Sequence, residues 1–196
     1  MSNFAEYYRD LLAWEGVPFQ PLIEAWPTEL VRAVESDLKA AVLASGIKDS
    51  LCSITPGSTN QSIGNQVEKH TMGRLVHGCA GFRIEPCSGA GYPDKMLVQL
   101  NPALRLAFEV KATSDWNPAD SSRRVLTSSS EKIRQAFRPP VHHLLCTVLY
   151  TLEIGGARIG ALRLDFLEPT TPVNVRLEAS VNHKLLATAA HFNVML

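Results

Sequence analysis

Several features that would place the chain in a familiar class are missing from its sequence. No apolar run approaches the roughly 20 residues that a membrane-spanning helix needs. The first residues, MSNFAEYYRDLL, carry acidic side chains instead of the basic region that opens a secretory signal. The cysteines form no C-x-x-C pair and follow no disulfide-scaffold spacing; they are Cys52, Cys79, Cys87 and Cys146. We therefore expect no membrane segment, reduced core cysteines and a cytoplasmic location.

An excess of charge of one sign is missing as well. Lys plus Arg number 19 and Asp plus Glu number 19, and this balance neither favours nor excludes nucleic acid, because local acidic and basic patches cancel in the sum. GxSxG, P-loop and GxGxxG patterns are absent. His70 and His77 precede Cys79 and Cys87 without the ligand spacing of a zinc site. Function must therefore be inferred from the local arrangement of polar residues.

The apolar periodicity predicts helices first and strands afterwards. Residues 3–15 and 27–45 have helical spacing, with Pro27 in the first turn of the second helix and Gly46 at its C-terminal cap. A third helix is predicted at 62–77. The period then changes to two, which predicts strands at 82–86, 94–100 and 104–112.

The second half of the chain continues with mixed signals. Ser128 and Glu131 form a capping-box pattern for a helix to about 137. Residues 142–169 have the pattern of a hairpin with Gly155-Gly156 at its turn, residues 173–181 predict a strand, and Asn182 can cap a last helix. This order predicts one mixed α/β domain over 1–196, with a helical layer at 1–50, a core at 60–150, and strands and a helix at 151–196.

The predicted strand at 104–112, LRLAFEVKA, carries charges in an otherwise apolar sequence. Because alternate side chains of a strand share a face, its leucines, Phe108 and Val110 should enter a core, while Glu109 and Lys111 are neighbours on the other face. Asp94 begins the preceding strand, at the end that meets the end of this one. We expect two carboxylates and one ammonium group to converge there.

Convergent carboxylates repel each other unless a cation lies between them. Oxygen ligands in an open geometry suit Mg²⁺, which Asp94 and Glu109 would bind. Lys111 would neutralise developing charge or position a water molecule. The alternative is a Glu109–Lys111 surface ion pair on an exposed sheet face, which the tripeptide alone would favour. The fuller pattern, with Pro-Asp, a turn and an apolar strand ending in Glu-Val-Lys, favours a hydrolytic metal site.

YPD at 92–94 and FEVKAT at 108–113 resemble the PD-(D/E)XK nuclease superfamily and, within it, the type II restriction endonucleases. Over residues 60–150 the resemblance implies a restriction-endonuclease-like αβββαβ core, with a mixed central sheet flanked by helices. It implies that Asp94 and Glu109 bind the metal and that Lys111 is the catalytic lysine. Glu68 sits where many members add a glutamate from the preceding helix; the alternative for Glu68 is a solvated helix face.

The resemblance also implies a Mg²⁺-dependent endodeoxyribonuclease that cuts double-stranded DNA at a specific sequence as a homodimer. A cognate DNA methyltransferase would act on the same site without having to bind the nuclease. Two alternatives stay open: a nuclease of repair or recombination that recognises DNA structure, and a non-catalytic DNA-binding protein on the same fold.

Two polar segments are candidates for DNA contact. Arg123 and Arg124 lie in a serine-rich segment suited to phosphates and base edges, although such a segment is equally typical of a solvated loop. Asn60, Gln61 and Asn65 would read bases or simply cap a helix.

Overall fold

The structure of the protein is a computed structural model that describes residues 2–14, 23–78, 81–87, 93, 95–100, 103–116, 125–128, 142–177, 183–187 and 192–196. The helices in these ranges are α1 (Phe4–Trp14), α2 (Thr28–Ser45) and α3 (Asn60–Gly78). They confirm the three helices predicted in the N-terminal half, with α3 beginning at Asn60 rather than near residue 62. None of these described helices is both long and apolar enough to cross a membrane.

Helix α2 shows how the apolar period produces a packed element. Its buried residues form one face at helical spacing; they are Val31, Val34, Leu38, Ala41 and Val42. Pro27 stands just before the first turn with an extended backbone. Gly46 ends the helix at a φ of 56°, a left-handed conformation that glycine adopts without a steric penalty. The predicted C-terminal cap is therefore confirmed.

A large mixed sheet follows, with seven strands among the described residues. In chain order the strands are β2 (Leu51–Cys52), β3 (Phe82–Pro86), β4 (Lys95–Leu100), β5 (Ala103–Thr113), β7 (His142–Glu153), β8 (Gly156–Leu167) and β11 (Phe192–Met195). Their hydrogen-bonded order is β11-β8-β7-β5-β4-β3, and β2 pairs with β8. Strands β5 and β7 are parallel, while the other neighbours are antiparallel.

The hairpin predicted around Gly155-Gly156 is confirmed, and its two glycines have different tasks. Glu153 pairs with Gly156, so Ile154 and Gly155 form the turn, and Gly155 has a φ of 96°. A Cβ atom on Gly156 would lie 2.2 Å from the carbonyl oxygen of Cys52. Glycine at position 156 therefore allows β2 to approach β8.

A second sheet has four strands within the described ranges: β1 (Ser2–Asn3), β6 (Val125–Ser128), β9 (Pro172–Leu177) and β10 (His183–Ala187). Their order is β1-β9-β10-β6. The helix predicted after Asn182 is wrong, since β10 pairs with β9 and β6, and β11 pairs with β8. Neighbouring strands offer this segment backbone partners, and tertiary pairing overrides its helical propensity. Ser128 ends β6, and the remainder of the helix predicted to about 137 lies outside the described residues.

The main core lies between α2, α3 and one face of the large sheet. Leu106, Phe108 and Val110 of β5 are fully buried in it, as their alternation predicts. Glu109 is buried as well, on the opposite face of the same strand. The alternative of an exposed sheet face is therefore wrong at Glu109, which is 2% exposed.

Candidate active site

Glu109 and Lys111 meet on one face of β5, two residues apart. The Lys111 Nζ atom lies 2.5 Å from Glu109 Oε1. The side chain of Glu109 is 3% exposed, whereas that of Lys111 is 24% exposed. A carboxylate this deeply buried costs several kcal/mol of desolvation unless a partner offsets it, and the ammonium group is such a partner. The pair therefore joins the interior of the protein to its surface.

Glu68 approaches the same end of β5 from helix α3. Its Oε1 atom accepts a hydrogen bond of 3.1 Å from the backbone N–H of Ala112, the residue after Lys111. A helix carboxylate and the charged pair of the strand are thus anchored within one residue of each other along β5. Glu68 is half-buried, so the alternative of a fully solvated helix face does not describe it.

Asp94 lies outside the described residues, and its predicted role stays a prediction. Its chain neighbours are described: Pro93 is buried, and Lys95 pairs with Phe108, the residue before Glu109. Within the described ranges, no group of three or more His, Cys, Asp or Glu side chains is placed to hold a metal ion. Position 94 is not included in that statement.

The predicted DNA-contacting residues fall into two groups. Asn60, Gln61 and Asn65 are all exposed on the first turns of α3. Their exposure is compatible with contact to a partner and equally with solvation. Arg123 and Arg124 lie outside the described residues.

A cleft of about 580 Å³ lies beside this strand end. One wall is a single face of α3, and the other is formed by the hairpin of β3 and β4. Glu68 borders the cleft and also bonds to β5, so it connects the two features. The lining residues are Asn65, Glu68, Lys69, Met72, Gly73, Val76, His77, Ile84, Pro86 and Lys95.

A second ion pair, which the sequence reasoning missed, lies on the same face of the large sheet as Glu109. On β8, Arg163 Nε donates to Asp165 Oδ2 at 3.1 Å, with side-chain exposures of 13% and 2%. The Arg163 guanidinium carbon lies 5.2 Å from the centre of the Trp116 ring, within cation–π range. Charges two residues apart in the apolar sequence LRLDFL were the available signal.

Burial limits the reactivity of Cys146. Cys52 and Cys146 are buried, free thiols, and Cys79 lies outside the described residues. Burial raises the pKa of Cys146 to about 12, and the nearby Asp165 charge adds to this effect. Its thiol therefore stays protonated at neutral pH and is not a nucleophile.

Comparison with known proteins assigns no family. No protein-family model matches the chain, and no curated protein matches it. Among solved structures it is similar to the tetrameric restriction endonuclease SfiI bound to cognate DNA, at 15% sequence identity and a TM-score of 0.46. That match covers 85% of this chain and 82% of the other. With identity and TM-score this low, the function of the chain has to be derived from its own residues.

Proposed function

We propose that the protein is a Mg²⁺-dependent endonuclease that hydrolyses phosphodiester bonds of double-stranded DNA at a specific short sequence. The observation that carries the proposal is the Glu109–Lys111 pair: a buried carboxylate held by a partly exposed ammonium group at the end of a central strand. Glu68, bonded to the backbone N–H of Ala112, brings a second carboxylate to the same end of β5.

A protein that only binds DNA would gain nothing from this arrangement. Carboxylates beside a phosphate backbone repel it, and burying one costs additional free energy. Both costs are understandable where the carboxylates have a chemical task. Helix α3 followed by β3, β4 and β5, with β7 parallel to β5, also supports the proposal as the part of the expected αβββαβ order that the described residues cover; β6 comes between β5 and β7, and the second expected helix lies outside those residues.

The donor set fits Mg²⁺. Glu109 and Glu68 supply carboxylate oxygens, and Mg²⁺ commonly binds through one or two carboxylates, with water and substrate phosphate as its other ligands. We propose Asp94 as a further ligand. Lys95, the residue after Asp94, pairs with Phe108, the residue before Glu109. When bound there, Mg²⁺ would polarise the phosphoryl group.

The protein's own residues have separable tasks in the proposed reaction. Glu109 fixes the Lys111 ammonium through their ion pair, and Lys111 stabilises the negative charge that develops on the phosphate oxygens. A water oxygen bonds to phosphorus in line and releases a proton to solvent as the bond from phosphorus to the 3′-oxygen breaks. The leaving oxygen takes up a proton, which gives 5′-phosphate and 3′-hydroxyl ends.

Specificity would come from polar and basic side chains other than the proposed catalytic ones. We propose that Asn60, Gln61 and Asn65 contact base edges from α3, and that Arg123 and Arg124 contact phosphates or bases. One site cuts one strand, so a homodimer on a palindromic sequence is the simplest arrangement for a double-strand cut. Sedimentation of the DNA complex should then report two protein chains per site.

Incubation of the purified protein with phage DNA tests the proposal. We expect discrete fragments with Mg²⁺ or Mn²⁺, no cutting with EDTA, and binding without cutting with Ca²⁺. A smear would indicate a nuclease without sequence specificity. Full activity in EDTA would remove the metal from the mechanism, and DNA that stays intact under every condition would contradict the nuclease itself.

A further inference from the structure

The cleft beside α3 has the chemistry of a nucleotide site. Its floor is apolar, formed by Met72, Val76 and Ile84, which are buried or half-buried. Cationic side chains stand around it, with Lys69 from the helix and Lys95 from β4. A base can stack on such a floor while its phosphate meets an ammonium group.

The size of the cleft favours one nucleotide over a duplex. Its volume of about 580 Å³ falls inside the range of about 300–1,000 Å³ that is typical of small-molecule sites. The side-chain amide of Asn65 at one end offers both a donor and an acceptor to a base edge, and the imidazole of His77 lines the cleft further along the same helix. A cleft of this volume suits a base that has left the stack, since a paired base is covered by its neighbours.

Glu68 connects the cleft to the end of β5. It lines the cleft and accepts a hydrogen bond from the backbone N–H of Ala112, the residue after Lys111. We propose that the cleft binds one unstacked nucleotide of the DNA strand that is cut, adjacent to the scissile phosphate. The adjacency to a scissile phosphate rests on the proposed nuclease function, whereas the nucleotide site itself is tested separately.

Gly73 offers a way to fill the cleft without disturbing the helix. It is an exposed lining residue in the interior of α3, and a Cβ atom built there meets no atom of the described residues within 4 Å. Leucine at position 73 should therefore project into the cleft and strengthen the helix, because glycine is a poor helix former. Gly64 in the same helix has equally open surroundings among the described residues and is not among the residues that line the cleft. Gly64→Leu is thus a matched control.

The experiment measures binding of a single-stranded oligonucleotide that contains 2-aminopurine, in EDTA so that no cleavage occurs. Binding of wild-type protein should change the 2-aminopurine fluorescence, and Gly64→Leu should behave like wild type. Gly73→Leu should weaken binding by about tenfold, the order expected for the loss of one stacked base, and should abolish the fluorescence change. Thermal unfolding of all three proteins checks that they are folded.

A second variant keeps the test decisive if Gly73→Leu is not folded. Lys69→Gln should weaken binding and reduce the slope of log K against log salt by about one phosphate contact. Wild-type affinity in the folded Gly73→Leu protein, an equal loss in Gly64→Leu, or an unchanged salt slope in Lys69→Gln would each overturn the nucleotide site. Binding of the free mononucleotide without binding of the oligonucleotide would overturn its assignment to a DNA strand.

Plasmid cleavage in Mg²⁺ separates this inference from the nuclease proposal. If wild type cuts and Gly73→Leu binds the oligonucleotide normally, the nuclease stands and the cleft site is wrong. If wild type never cuts but Gly73→Leu loses oligonucleotide binding, the cleft site stands and the nuclease is wrong.

Discussion

Two ion pairs of the same spacing occupy one face of the large sheet. Glu109 and Lys111 lie on β5, and Arg163 and Asp165 lie on β8, with β7 between the two strands. Leu145 of β7 pairs with both acidic residues, Glu109 and Asp165, so these share one cross-strand row. Thr147 pairs with both basic residues, Lys111 and Arg163, which share the next row on that face. The pairs differ at their basic residues: the Lys111 side chain is 24% exposed, whereas the Arg163 side chain is 13% exposed and lies over the Trp116 ring.

The difference shows that the surroundings of a charged pair decide its use. Lys111 of the β5 pair is partly exposed, and Glu68 of α3 bonds to the backbone N–H of Ala112 beside it. An indole ring lies against Arg163 of the β8 pair, and Asp165 of that pair is fully buried. We therefore expect the first pair to determine activity and the second to determine stability.

The largest expected effect is on the rate of DNA cleavage, and it appears when the basic residues Lys111 and Arg163 are replaced in turn. Lys111→Met removes the ammonium group that would stabilise developing charge, and should reduce the cleavage rate by about 10²–10³-fold. Arg163→Met makes the same kind of change on the same face and should leave the rate of the folded protein within about tenfold of wild type. Single-turnover cleavage of plasmid DNA measures both. Equal losses in the two variants would place Arg163 in the active site as well.

The sequence predicts the β5 pair because strand alternation fixes which side chains share a face. It does not predict that Glu109 is buried, since that depends on β4 and β7 flanking β5 and on what covers the sheet. The resemblance draws attention to Glu68, but only the folded chain brings α3 to the backbone of Ala112.

Arg163 and Asp165 escape sequence reasoning for a related reason. Arg-x-Asp in an apolar strand is the same signal as Glu-x-Lys, yet nothing in the sequence says that β8 lies two strands from β5. The strands after Asn182 escape it because Leu- and Ala-rich segments favour helices locally. Their pairing with distant strands is a tertiary effect.

Replacement of each acidic residue by its amide should separate effects on stability from effects on activity. Asp165→Asn leaves the largely buried Arg163 facing a neutral partner and should reduce the free energy of unfolding by roughly 2 kcal/mol, allowing for the partial exposure of Arg163. Glu109→Gln should cost less stability, because Lys111 can reach water, and should abolish cleavage while DNA affinity stays the same or rises. Urea unfolding and DNA-binding titrations measure these quantities. Near-normal cleavage by Glu109→Gln would refute the site assignment.

The contact between Arg163 and Trp116 should provide a smaller effect. Trp116→Leu removes the ring face and should reduce the free energy of unfolding by about 1 kcal/mol, without changing cleavage by the folded protein. Trp116→Phe retains a ring and serves as the control. In a double-mutant cycle, Trp116→Leu should reduce the free energy of unfolding much less in the Arg163→Met variant than in the wild type. A coupling energy of zero would mean that the ring does not stabilise the β8 pair.

The smallest expected effect is a dependence of stability on pH that belongs to the β8 side. The ring of His142 lies 4.8 Å from that of Trp26, which packs edge-on against Phe166, the residue after Asp165. Burial lowers the pKa of His142 below its ordinary value, although a hydrogen bond to the Glu24 carbonyl and the charges of Glu24 and Glu168 oppose the shift.

With a lowered pKa in the folded state, the unfolded chain takes up the His142 proton first as the pH falls. The contribution of neutral His142 is therefore fully present above about pH 6.5 and is lost as the pH falls through the folded-state pKa. His142→Asn should flatten this part of the unfolding free energy as the pH falls below about 6.5, with the carboxylate contributions common to both proteins. Urea unfolding across that range measures the difference in slope. Identical slopes for wild type and His142→Asn would show that His142 does not couple pH to the packing beside Asp165.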